Sequence, residues 1–258
     1  MLFFSRINPK TGYDIWYIQR KPDGSWQEAV AFLQSEFNEM NGQISRDGRF
    51  VLYTSDQTGR IEIFVRSFPE GGYWQVSAQG GEQPRWSRDG REILYVENRD
   101  TLVSVPVWAT GVFSKGAAKT LFRNTSLVRI FESNYMYDLS PDGKRITFGT
   151  QETKETIVWT FDLAGTSAIQ RLTFVGANRF PIWSADSKRV TYQSDREKDL
   201  GIFWQLADGT GAVERLTKAN TGESHEPEAW SPLPNRVLLY SVRKGNDVTL
   251  WTLSLPDR

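Results

Sequence analysis

A short phrase recurs five times along the chain: "ISRDG" from Ile44, "WSRDG" from Trp86, "LSPDG" from Leu139, "WSADS" from Trp183 and "WSPLPN" from Trp230. The copies are 42 to 53 residues apart. Each is followed by a run rich in β-branched and aromatic residues, such as "VLYTS" from Val51, "ILYVE" from Ile93 and "VTYQS" from Val190. A third run follows with strand-like alternation ("IEIFVRSF", "TIVWTFDL", "TLWTLSL"), then a short fourth ("WQVS", "QRLTF", "ERLTK"). A unit of about 40 to 50 residues built from four short strands is the signature of a propeller blade. No segment sustains a 3.6-residue period, so no helix is expected.

The repeated phrase has a backbone reason to exist. A tight corner between antiparallel strands needs a residue at positive φ, which Gly48, Gly90 and Gly143 adopt without steric cost. Asp47, Asp89, Asp142 and Asp186 can accept bonds from the amides of the same loop. Ser187 replaces the glycine in the fourth copy, and in the longer fifth copy Asn235 is the expected left-handed residue. The recurring aspartates are therefore read as scaffold, each confined to the turn of its own blade. Trp86, Trp183 and Trp230, which hold equivalent positions, are read as packing between neighbouring blades.

Length alone allows one large all-β domain or two smaller ones, and the repeat decides for the former. The expected fold class is all-β, a propeller of six blades over residues 1–37, 38–78, 79–124, 125–174, 175–218 and 219–258. The first unit lacks its turn and first strand, and the last lacks its fourth strand, which predicts 22 strands in all. A five-bladed ring with spare N-terminal strands is the alternative, and a piece of a longer chain is a third possibility, since an open propeller exposes an unpaired edge.

These residues resemble a known family. "GGEQPRWSRDGREILYV", "LSPDGKRITF" and "FPIWSADSKRVTYQSD" are similar to the WD40-like repeats of TolB and of the non-catalytic propellers of prolyl oligopeptidases. The blend with "IEIFVRSFPEGGYWQVSAQ" and "GIFWQLADGTGAVERLT" is closer still to the propeller that follows the membrane span in bacterial eukaryotic-like serine/threonine kinases. The resemblance implies a six-bladed, TolB-like ring with a central channel that binds a protein, a peptide or a small ligand, outside the cytoplasm, as a sensor or docking region. The chain has no Gly-rich phosphate loop, no "HRD" and no "DFG", so it carries no kinase of its own.

Chemistry is thinly represented. Lys plus Arg and Asp plus Glu both number 31 without long runs of one sign, so nucleic acid is not an expected partner. There is no cysteine and a single histidine, His225 in "GESHEPEAW". That removes thiolate chemistry and every Cys or multi-His zinc motif, and no "GxSxG", "HExxH" or "DxDxDG" is present. No catalytic residue, metal or cofactor is expected. The apolar run at the start is too short for a signal-peptide core, no stretch is long enough for a membrane span, and the expected state is a monomer that does not itself insert into a membrane.

Binding residues are sought where the repeat diverges. The segments leading into the first strand of each blade, "NEMNG", "GEQPR", "SNYMY", "NRFPI" and "HEPEA", differ in character while the turn stays constant. Such segments lie near the channel mouth of a propeller, and Glu39, Glu82, Arg85, Tyr135, Arg179, His225 and Glu226 are the expected binding surface, with His225 on a loop. Asp56 and Asp195, in the Ser-Asp pairs after the second strands, are expected to cap the next hairpin. Trp26, Trp74 and Trp108, near loops, are candidate exposed anchors for a partner.

Overall fold

The computed structural model describes residues 1–109, 111–124, 137–152, 155–165 and 168–255. Within them the chain is all-β, with no helix, and forms six antiparallel sheets. Three lie in a compact unit spanning Met1–Thr125 and three in a second spanning Ser126–Arg258.

In the first unit, β1 (Leu2–Asn8), β2 (Gly12–Ile18) and β3 (Val30–Leu33) make one sheet. β4 (Glu39–Ile44), β5 (Phe50–Ser55), β6 (Glu62–Ser67) and β7 (Tyr73–Gln75) make the second. The third contains β8 (Glu82–Trp86), β9 (Glu92–Glu97), β10 (Thr101–Trp108), β11 (Ser114–Lys115) and β12 (Lys119–Arg123). In the second unit, β13 (Tyr137–Leu139), β14 (Arg145–Glu152), β15 (Glu155–Asp162) and β16 (Gln170–Arg171) form one sheet. β17 (Asn178–Trp183), β18 (Arg189–Ser194), β19 (Gly201–Leu206) and β20 (Glu214–Arg215) form the next. The last contains β21 (Glu223–Trp230), β22 (Val237–Lys244) and β23 (Asp247–Ser254). The first three strands form a sheet of their own, so six blades replace the five-bladed alternative. The described strands number 23 rather than 22 because β10 is long enough to pair with β12 at one end and with β11 at the other.

The recurring turn owes its constancy to a closed set of hydrogen bonds. Ser45 Oγ donates to Asp47 Oδ1 at 2.6 Å and accepts from the Phe50 amide at 3.0 Å, while Asp47 Oδ1 accepts from the Arg49 amide at 3.2 Å. Ser87 with Asp89, Ser140 with Asp142 and Ser184 with Asp186 repeat the hydroxyl-to-carboxylate bond at 2.8, 2.5 and 2.6 Å. Gly48, Gly90 and Gly143 have φ of 75°, 72° and 72°, and Ser187 takes the same conformation at 59°. At Asp47, Asp142 and Asp186 burial pushes the carboxyl pKa up, but the serine hydroxyl and neighbouring amides and cations outweigh it and leave each below its ordinary value. At Asp89 the Arg91 amide and the Ser87 hydroxyl lower it directly. In the fifth copy the left-handed residue is Arg236 (φ 43°), not Asn235, and Ser231 Oγ still accepts from the Val237 amide at 2.9 Å.

The tryptophans join neighbouring sheets. Trp86 Nε1 donates to Gln43 O at 3.2 Å, Trp183 Nε1 to Asp138 O at 3.2 Å and Trp230 Nε1 to Thr191 Oγ1 at 2.9 Å. Each bond runs from the first strand of one sheet to a strand of the sheet before it. Between them the apolar faces close over one another. Phe50, Leu52, Ile63 and Val65 pack with Ile93, Tyr95, Val103 and Val105 in the first unit, and Val158 and Leu172 pack with Trp183, Val190, Tyr192 and Phe203 in the second.

A second device recurs. The hydroxyls of Ser77, Thr173 and Thr217, which follow the fourth strands, accept from the amides of Ile63, Val158 and Ile202 at 2.7, 2.9 and 3.0 Å. Each satisfies an outer-edge donor of the third strand that the short fourth strand does not reach.

Candidate functional site

Four of the five divergent segments lie among the described residues, and they do not precede the first strands; they largely form them, while "SNYMY" lies outside the described residues but for Tyr137. Glu39 opens β4, Glu82 opens β8, and Arg179, His225 and Glu226 lie within β17 and β21. Each of these strands is bulged, with register shifts between Met40 and Gln43, Glu82 and Arg85, Arg179 and Ile182, and Pro227 and Ala229. In three of them the residue three positions before Ile44, Trp86 or Trp183 sits at positive φ: Asn41 at 60°, Gln83 at 55° and Phe180 at 54°. For a bulky side chain such as Phe180 this conformation costs on the order of 1 kcal/mol or more. A bulge bends the strand and re-aims the flanking side chains, so the constant scaffold presents unlike residues at its inner edge.

In the first unit, Glu39 is buried at 3% exposure, accepts a bond from the Ser35 hydroxyl, and is flanked by the acidic Asp14 and Asp56. Burial first, then the neighbouring negative charges, push its carboxyl pKa up. Glu82 pairs with Arg99 at 3.0 Å. Arg85 is half-buried, and the adjoining Pro84 carbonyl accepts from Gln43 Nε2 at 2.8 Å, which ties β8 to β4. Asp56 caps no hairpin of its own; it accepts the Asn38 amide and side-chain amide, both at 2.8 Å, and so anchors the lead into β4. Asp195 does the same for the Ala177 amide at 2.7 Å, while the neighbouring Ser55 and Ser194 hydroxyls make the local bonds.

In the second unit, Arg179 is exposed and pairs in register with Gln193, whose Nε2 donates to the His225 carbonyl at 2.9 Å. His225 is a strand residue rather than a loop residue, only 7% exposed, with Nδ1 2.9 Å from Thr217 Oγ1 and its ring 5.4 Å from that of Tyr240. Glu226 pairs with Arg243 at 3.4 Å, and Glu223 with Lys244 at 3.4 Å. A cleft opens beside this group, lined by Lys198, Asp199, Asn220, Glu223, Ser224 and Arg243, and Asp199 is held by Arg215. Both signs of charge line it, fixed by ion pairs to rigid strands. Lys198, Asp199, Glu223 and Arg243 were not singled out from the sequence, because each belongs to a turn or strand end where a charge signals only solvent. Tyr135 lies outside the described residues.

Among the described residues no three or more His, Asp or Glu side chains converge as a metal site. Of the three loop tryptophans, Trp26 and Trp108 are exposed, whereas Trp74 packs on Phe50 and Phe113 and is part of the core edge.

His225 makes the fold sensitive to acid. Burial lowers its pKa from the ordinary 6.5, so the folded state resists a proton that the unfolded state accepts. Stability is therefore expected to fall as the pH drops below about 6.5 and through the lowered folded value. In His225→Phe, which keeps a ring against Tyr240, the loss of urea midpoint between pH 7.5 and 5.5 is expected to be smaller than in the unaltered protein. An identical loss in the two proteins would remove His225 from the pH response.

No protein-family sequence model matches the chain, and no curated protein sequence matches it. Solved structures do. A TolB protein from Agrobacterium tumefaciens superposes with a TM-score of 0.65 at 19% identity, covering 88% of this chain and 81% of that one. Oligogalacturonate lyase from Vibrio parahaemolyticus gives 0.65 at 15% identity over 93% and 69%. A puromycin-hydrolysing peptidase of Mycobacterium tuberculosis gives 0.63 at 16% identity over 98% of this chain but only 44% of the peptidase. At these identities the likeness shows the fold alone, and that fold is the six-bladed, TolB-type β-propeller.

Proposed function

We propose that the chain is a non-catalytic recognition module, binding a protein or peptide through the bulged first strands of its sheets, in an extracytoplasmic setting such as that of a kinase-linked sensor. The observation that carries this reading is the contrast within one repeat. In four sheets the turn keeps the same Ser, Asp and left-handed residue, and in the last the Ser and a left-handed residue, whereas the bulge beside it carries Glu39, Glu82 and Arg85 in one unit and Arg179 and Glu226 in the other. Rigid strands bearing fixed, unlike charges suit selective binding. The one histidine is buried, and the threonine hydroxyl beside it already accepts from the Ile202 amide, so that oxygen serves as a strand cap.

Peptides selected from a random library on the full chain test it. Arg179→Ala, with its exposed guanidinium removed, and Glu82→Ala are each expected to weaken peptides selected on their own unit by about tenfold or more. Equal binding by both variants would move the site elsewhere. A carboxylate-based lyase or hydrolase is the competing reading, and the purified protein incubated with oligogalacturonate is expected to release no unsaturated product.

A further inference from the structure

Where the third strand of one sheet meets the head of the next sheet's first strand, register defines two positions that recur along the chain. The first is held by Asp14, Glu62, Ile157 and Gly201, opposite Arg6, Ser55, Thr150 and Ser194 of the second strands. The second is held by Glu39, Gly81, Asn178 and His225, five residues before Ile44, Trp86, Trp183 and Trp230. The residue after the fourth strand touches both. Ser77 Oγ bonds Glu62 and would lie 2.8 Å from a Cβ at Gly81, and Thr217 meets His225 through its hydroxyl and approaches Gly201 through its carbonyl.

Three of these junctions balance their polar groups. Glu62 is buried, but it pairs with Arg60 at 2.6 Å, accepts the Gly80 amide at 3.0 Å and stands beside a glycine. Asn178, beside Ile157, donates through Nδ2 to the carbonyls of Thr156, Val175 and Gly176 at 3.3, 3.2 and 2.8 Å. His225, beside Gly201, meets the Thr217 hydroxyl at 2.9 Å. Among the described residues, the first junction alone sets carboxylates at both positions, Asp14 and Glu39.

Both carboxylates are buried and half-satisfied. Asp14 Oδ2 accepts from Asn8 Nδ2 at 3.3 Å, Thr11 Oγ1 at 3.1 Å and Gln34 Nε2 at 3.1 Å, all neutral donors, and Glu39 Oε1 accepts from the Ser35 hydroxyl. Asp14 Oδ1 and Glu39 Oε2 are buried with no hydrogen-bond partner. Arg6, opposite Asp14 in the register, is exposed and lays its guanidinium over the Trp16 ring at 5.1 Å. Burial first, and the Asp14 charge after it, push the Glu39 carboxyl up, so the two groups feel one another. Two like charges shut off from solvent require a compensating cation. Because both oxygens are already enclosed, the deficit is internal to the junction and owes nothing to a strand edge.

We propose that the junction between the first two sheets holds a hard divalent cation of the calcium class, bound by Asp14 Oδ1 and Glu39 Oε2. Two carboxylates balance a double positive charge, and a site of oxygens without imidazole or thiolate suits calcium or magnesium over zinc or copper. Calcium is the better fit, since it accepts irregular ligand sets whereas magnesium demands a near-ideal octahedron. The ion does at this junction what Arg60 does for Glu62 at the next, and it ties β2 to β4. The recognition reading is tested at Glu82 and Arg179, neither of which belongs to the pair, so the two readings fail separately.

The probe is calcium chloride added to the full chain after treatment with a chelator, near neutral pH and at constant ionic strength. Saturable binding is expected in titration calorimetry, with a rise in melting temperature of about 5 °C at a hundredfold excess over Kd. Magnesium at the same concentration is expected to give a smaller rise. Asp14→Asn and Glu39→Gln are each expected to weaken calcium binding about tenfold or more. Glu39→Gln, which puts an amide where Asn178 has one, is also expected to melt higher than the unaltered protein in chelator and to gain nothing from calcium. A melting temperature indifferent to calcium overturns the proposal; if it also falls with rising pH in the unaltered protein but not in Glu39→Gln, the pair is held by a shared proton. Calcium binding that survives both substitutions overturns it as well, as an adventitious ion only.

Discussion

Trp183→Ala is expected to destabilise the protein by about 3 to 5 kcal/mol, as truncation of a large buried aromatic does. Trp183 is 3% exposed and packs with Val158, Leu172, Val190, Tyr192 and Phe203. Its loss opens a cavity between two sheets that short turns hold in place, which limits relaxation. The change also removes the Nε1 bond to the Asp138 carbonyl and the ring over which the Arg145 guanidinium lies at 4.6 Å. Trp183→Phe restores much of the volume but not the indole donor, so a smaller loss is expected. Trp230, stacked on Trp204 at 5.5 Å and only half-buried, is expected to cost less on truncation. Urea unfolding of the three variants orders them, and a Trp183→Ala loss below about 1 kcal/mol would mean that the repeat tryptophans do not hold the sheets together.

The difference between Trp183 and the candidate site shows what a sequence can disclose. The turn was legible because its conformation demands particular chemistry at fixed offsets: a hydroxyl at Ser45, a carboxylate at Asp47, a left-handed residue at Gly48. The tryptophans were legible because burial between sheets favours one side chain at one place in every copy. The bulges were not. Asn41, Gln83 and Phe180 share a backbone conformation with no common side chain, and only asparagine adopts it readily. A repeat pattern that contains no bulge starts the first strands too late and leaves His225 on a loop, whereas it pairs in register with Val242.

Asp56 departs from the expected hairpin cap for a related reason. A carboxylate next to a turn ordinarily bonds within it. Here the adjacent Ser55 already supplies the local acceptor to the Gln57 amide, which leaves Asp56 to reach Asn38, 18 residues earlier. Local rules predict local partners, and the contacts that position the first strands are long-range.

Thr217→Val is expected to cost about 1 to 3 kcal/mol more than a neutral isosteric change, because it strands a donor that the fold otherwise satisfies. The Thr217 hydroxyl accepts from the Ile202 amide at 3.0 Å and meets His225 Nδ1 at 2.9 Å, so one oxygen serves both the third strand of its own sheet and the first strand of the next. Thr173→Val is the internal control. Its hydroxyl caps the Val158 amide at 2.9 Å in the same way but has no histidine beside it. If the shared role matters, Thr217→Val lowers the urea midpoint further than Thr173→Val. The excess shrinks in a His225→Phe background, where no ring nitrogen is left to lose its partner. Equal losses in both backgrounds would reduce Thr217 to one more strand cap. A coupled loss would instead make this hydroxyl the link through which the cleft edge at Glu223 and Ser224 is held to the sheet before it.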